Sequence, residues 1–210
     1  MRASAHLYLA LGGLFCLASP TPDAPAAPRP AAGEGHRICW QEGRRLQWSD
    51  FCATTYPKSA SGNPATRAGL TTSAITATPV TENGIPTYRI ACVFVGDSSW
   101  VNNALVKTPQ ERALVLAHEQ LHFDIAELSA RKIRQHMAQL RRAGKYLYSP
   151  QATEDITKLR GDVTLDDQLD ESDTTLNPKI AVPEIKRWQL RLAQELSKLA
   201  AYKSTATTCP

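Results

Sequence analysis

The chain has 210 residues, 42% of them apolar, which is enough for one domain of ordinary size with its own core. Its formal net charge of +4 comes without long basic runs or interleaved aromatics, so nucleic acid is not an implied partner. The apolar run from Leu7 to Leu17 is too short to span a bilayer, which argues against stable membrane insertion.

Residues 1–18, "MRASAHLYLALGGLFCLA", read as a secretory signal: Arg2, the apolar run, then Cys16-Leu17-Ala18 as a small-x-small cleavage site. Residues 19–35 carry five prolines and many alanines but no large apolar residue, and so form a disordered lead-in. A single folded domain is expected over 36–204. Removal of the signal takes Cys16 with it and leaves Cys39, Cys52, Cys92 and Cys209. In an exported protein these four predict two disulfides, with three connectivities open. No pair has the short spacing of a thiolate zinc site.

From His36, "HRICWQEGRRLQWSDF" alternates apolar Ile38 and Trp40 with polar residues, turns at Glu42-Gly43 and resumes at Leu46 and Trp48. That pattern predicts two short strands. Thr, Val, Ile and Ala dominate from Ala68 to Val95, and Asn83-Gly84 between two such runs predicts a β-hairpin. Residues 96–108 read as a loop. Thr108-Pro109-Gln110-Glu111 then fits a helix start, with Thr108 as cap, Pro109 at the first helical position and Glu111 closing a capping box. Neither glycine nor proline interrupts the chain before Gly144, so one long helix follows, with a break near Lys132 left open. A shorter helix is expected from about Pro150 to Leu159. Pro183 is expected to open a last helix whose Ile185, Trp188, Leu192, Leu196 and Leu199 form one apolar stripe. Strands followed by helices make the class α+β, a small antiparallel sheet packed on the long helix and the C-terminal helix.

The long helix contains His118-Glu119-Gln120-Leu121-His122. At 100° per residue the two histidines lie about 40° apart on successive turns, and Glu119 sits a further 60° or so round. This spacing lets two imidazole nitrogens converge on one Zn²⁺ while the carboxylate reaches a water without taking a coordination position. Leu114, Leu121, Ile125 and Leu128 on one side, and Leu116 and Phe123 on the other, would embed the site in packing. The bland alternative is a solvated polar face. A zinc-dependent hydrolase also needs a third protein ligand, and the extended motif that would supply it is absent, with Ile125 and Leu128 where a glycine and a histidine would stand. His136 lies four to five turns further along the helix and His36 belongs to the lead-in. The acidic stretch "GDVTLDDQLDESDTT" offers Asp166, Asp167, Asp170, Glu171 and Asp173, any of which could equally solvate a loop. Asp50 reads as a turn cap, Trp48, Trp100 and Trp188 as core, and Tyr146 and Tyr148 as partly buried side chains able to donate to an oxyanion.

Taken together, "LQWSDF" (46–51), "SSWV" (98–101) and "LAHEQLHFDIAELSARKIR" (116–134) resemble the bacterial family described as predicted secreted zinc-dependent proteases, over about Leu46 to Leu199. The resemblance implies a secreted or periplasmic, zincin-like metallopeptidase acting on a peptide or protein substrate, with zinc on His118 and His122 and Glu119 as base. The family pattern has an aromatic-Asp pair, a Thr and a His before the last helix, where this chain reads Leu169-Asp170-Glu171-Ser172-Asp173-Thr174-Thr175. If that histidine is the family's third ligand, this chain either recruits Asp170, or else Asp173, or has lost tight metal binding. The rival reading is a non-catalytic envelope protein that keeps the helix for packing and binds a partner through its hairpin or acidic loop.

Overall fold

The computed structural model describes residues 35–58, 60, 63–160, 165, 168–169, 176–205 and 208–209. The signal segment 1–18, the lead-in up to residue 34, and the carboxylates Asp166, Asp167, Asp170, Glu171 and Asp173 lie outside the described residues. The architecture is α+β. Strands β1 (Arg37–Cys39), β3 (Ser73–Glu82) and β4 (Ile85–Val95) form an antiparallel sheet in the order β1-β4-β3, and β2 (Gly69–Leu70) pairs with β5 (Trp100–Val101) in a separate ribbon. Helices α1 (Pro109–Arg142), α2 (Pro150–Arg160) and α3 (Pro178–Lys198) follow.

The β3–β4 hairpin closes as the Asn83-Gly84 pair predicts, with Glu82 opposite Ile85. Both turn residues have positive φ, 51° and 78°, the backbone that a two-residue loop needs to match strand twist. The expected second strand around Leu46–Trp48 is not formed. Leu46 instead gives its N–H to the Gln120 side chain at 2.8 Å and Gln47 gives its own to Asp50 at 2.7 Å, and Trp48–Asp50 close a 3₁₀ turn. With those donors engaged by side chains, no ladder can run there. Asp50 thus does cap a turn, and Arg44 reaches it with Nη2 at 2.9 Å from both oxygens. The stretch read as a loop, 96–108, includes a 3₁₀ turn and β5.

Helix α1 starts with the expected box. Thr108 Oγ1 accepts from the Glu111 N–H at 3.2 Å, and Glu111 Oε2 accepts from the Thr108 N–H at 2.8 Å. It runs unbroken through Lys132 to Arg142, and Gly144 follows at φ 66°. Two apolar clusters meet it. Phe123, Ala130, Ile133 and Met137 join Trp40, Leu46, Ile90, Cys92 and Phe94 in the sheet-side core, while Leu121, Ile125 and Leu128 join Leu169, Trp188 and Leu192. Helix α3 begins five residues before the expected Pro183, because Asn177 caps it by accepting from the Lys179 N–H at 3.1 Å and Pro178 takes the first position. Pro183 lies inside its second turn. One disulfide forms rather than two, Cys39–Cys209 with 6.1 Å between Cα atoms, while Cys52 and Cys92 are thiols. Among the described residues, no helix is long and apolar enough to cross a membrane.

Candidate metal centre on the long helix

Helical spacing brings the two histidines together. His118 Nε2 and His122 Nε2 are 3.1 Å apart, with ring centroids at 4.8 Å and planes inclined at 75°. Two nitrogens bound tetrahedrally at about 2.0–2.1 Å would be separated by about 3.3–3.4 Å, so the observed spacing is close to one tetrahedral edge. Burial, followed by the charges of His122 and Arg67, pushes the His118 pKa down to about 3. Desolvation disfavours the imidazolium, so the ring is neutral at physiological pH and keeps a lone pair to give. The two imidazoles therefore match zinc in donor type and in spacing.

Glu119 is 3% exposed. Strand β2 lies directly against it: a Cβ built on Gly69 would stand 2.5 Å from Glu119 Oε1 and 2.9 Å from its Cδ. Thr71, just past β2, donates its hydroxyl to the Glu119 backbone carbonyl at 3.2 Å. Arg67, half-buried two residues before Gly69, is a cation whose charge acts on His118 and that the sequence pattern does not single out. Only the fold carries it there.

Among the described residues, no group of three His, Cys, Asp or Glu side chains is gathered around a common point. Asp170 and Asp173 fall outside those residues. Leu169, the neighbour of Asp170, is buried in the same cluster as Leu121 and Ile125, on the face of α1 that adjoins the histidines. His136 is held elsewhere, with Nε2 2.8 Å from Asp155 Oδ2 between α1 and α2. Tyr146 is more exposed than the expected partial burial, whereas Tyr148 packs its ring on Tyr88 with centroids 5.1 Å apart. Tyr146 and Tyr148 are 62% and 43% exposed in the α1–α2 connection. Trp188 is core as expected, and Trp48 is covered by Arg112, whose guanidinium carbon is 4.9 Å from the ring centroid.

The residues least visible in the pattern lie opposite the histidines. Gln120, Asp124, Glu127, Arg131 and Arg134 fall within about 80° of one another on the helical wheel, a stripe that resembles a solvated face. All are buried except Arg134, which is intermediate. Asp124 accepts from Trp40 Nε1 at 2.8 Å and from Gln120 Nε2 at 2.9 Å. Burial raises its pKa, against the lowering effect of the bonds from Trp40 and Gln120. Glu127 accepts from Arg131 Nε at 2.9 Å and Arg134 Nη1 at 3.2 Å. Pairing of this kind is what makes buried charge tolerable. No family model, curated protein or solved structure matches the chain.

Proposed function

We propose that the chain is an exported zinc-dependent peptidase of zincin-like fold, in which His118 and His122 hold the metal and Glu119 is the general base. The observation that carries this reading is the convergence of the two Nε2 atoms at 3.1 Å on α1, with a buried carboxylate at the position between them in sequence. The resemblance of the helix to the secreted protease family supports it. Asp170 is the proposed third ligand, with Asp173 next, supported by the burial of Leu169 in the cluster that adjoins the histidines. Export is supported by the Cys39–Cys209 disulfide, a bond at home in oxidising compartments.

Zinc, when bound, supplies Lewis acidity toward a water and the scissile carbonyl. The chain's own residues do the rest. Glu119 takes a proton from the attacking water onto a carboxylate oxygen and later delivers it to the nitrogen of the leaving amine. Low exposure keeps that carboxylate out of competition with bulk water. Arg67, whose charge is already felt at His118, is the group proposed to balance the oxyanion. The test is hydrolysis of a mixed peptide library by the purified protein and by Glu119→Gln. Cleavage by the wild type that disappears in the variant supports the assignment. Equal rates would remove Glu119 from the chemistry, and no cleavage by a zinc-loaded wild type would favour the non-catalytic envelope protein.

A further inference from the structure

We infer that Gly69 is a positioning residue for Glu119: its missing side chain is the space in which the carboxylate sits, and strand β2 holds that carboxylate in place. The inference rests on the proposed role of Glu119 but is decided by separate measurements. A Cβ at Gly69 would lie 2.5 Å from Oε1, 2.9 Å from Cδ and 3.1 Å from Cγ of Glu119, so the backbone of β2 lies against the Oε1 side of the carboxylate. No positive φ is recorded at Gly69, so glycine is needed here for close approach and not for an unusual backbone. The cover is fixed on both flanks. Gly69 and Leu70 pair with Val101 and Trp100, and Thr71 ties back to the carbonyl of Glu119 itself at 3.2 Å. Trp100 is braced in turn by Tyr56, ring centroids 5.2 Å apart and nearly perpendicular.

An added methyl group has two ways out. Either the carboxylate swings away from its place, or β2 lifts off α1. Flexible side chains yield more readily than a paired backbone, so Gly69→Ala displaces Glu119 while leaving the histidines where they are. A base misplaced by about 1 Å can cost about a hundredfold in rate.

The experiment is a double-mutant cycle on the full chain, comparing Gly69→Ala, Glu119→Ala and the pair. Thermal unfolding is the first readout and needs no activity. Gly69→Ala is expected to lower Tm in the wild-type background and to have little effect where Glu119 is already alanine, because the carboxyl group it would strike is gone. Failure of Gly69→Ala to fold alone, with folding restored by Glu119→Ala, supports the inference equally. Equal loss of Tm in both backgrounds overturns it. The second readout is zinc content with kcat and KM on a library-derived peptide. Gly69→Ala is expected to keep wild-type zinc and KM while kcat falls about tenfold to a hundredfold, and loss of zinc in parallel with activity would contradict a role confined to the base. Absence of hydrolysis by the wild type would defeat the peptidase reading alone, and the thermal cycle would still decide whether Gly69 cradles Glu119.

Discussion

Ser204 donates both its backbone N–H, at 3.0 Å, and its hydroxyl, at 2.7 Å, to the carboxylate of Glu127, 77 residues earlier in the chain. Glu127 is fully buried, and the two arginines it pairs with reach on to main-chain carbonyls. Arg131 donates to Leu196 O at 2.7 Å, and Arg134 to Ile90 O at 3.0 Å and Tyr202 O at 2.7 Å. One carboxylate thereby ties the middle of α1 to β4, to the end of α3 and to the C-terminal tail.

Removing that carboxylate strands two guanidinium groups with little water to replace it. Glu127→Ala is expected to cost about 3–5 kcal/mol of stability. Ser204→Ala, which keeps the backbone donor and the ion pairs, is expected to cost about 1.5–3 kcal/mol. Urea unfolding of both variants checks the order, and a Glu127→Ala loss under 1 kcal/mol would mean that the network is not what seats α1.

The tail is also held covalently. The Cys39–Cys209 bond closes a loop with a sequence separation of 170, which on chain-entropy grounds stabilises by about 5 kcal/mol. Reduction should lower Tm accordingly. Of the remaining thiols, Cys92 is fully buried and burial raises its pKa well above the usual thiol value, whereas Cys52 is half-exposed. Alkylation of the native protein should modify Cys52 and spare Cys92 until the chain is unfolded.

Acid should destabilise the metal-free fold through His118. Its folded pKa, about 3, lies below the unfolded value near 6.5, so the unfolded chain binds the proton first as pH falls. The stability is intact above about pH 6.5 and is lost on the way down to pH 3, at no more than about 1.4 kcal/mol per pH unit. Asp124, with its raised pKa, acts in the opposite sense, because protonation there favours the folded state. The informative comparison is therefore wild type against His118→Leu. The variant should lose the His118 part of the slope, and identical profiles would show that His118 is not desolvated.

The hairpin offers a simple backbone test. Gly84 at φ 78° has no neighbour within 4 Å of a built Cβ, so strain is the only penalty for a side chain there. Gly84→Ala should cost about 1 kcal/mol in thermal unfolding.

Features fixed by near neighbours in the chain were legible in the sequence. The Asn83-Gly84 turn and the Thr108-Glu111 box need only residues within reach of one turn, and both formed as their chemistry dictates. Leu46–Trp48 misled because Gln120, 74 residues away, takes the Leu46 N–H that a strand would have offered. Pro183 misled because a proline in the second turn can still be accommodated, and Asn177 with Pro178 had already started α3. The spine from Gln120 to Arg134 has the composition of a solvent face, and only its long-range partners Trp40, Ile90 and Ser204 reveal it as interior. At the site itself, the His118–His122 pair follows from helical periodicity alone. Arg67 and Gly69 could not be read there, because nothing local to them refers to α1.

Zinc analysis of protein purified without chelator tests the proposed His118–His122 metal site most directly. About one zinc per chain is expected, retained in Glu119→Gln and lost in both His118→Ala and His122→Ala. A wild-type protein without zinc, or one whose zinc survives the loss of both imidazoles, would contradict it.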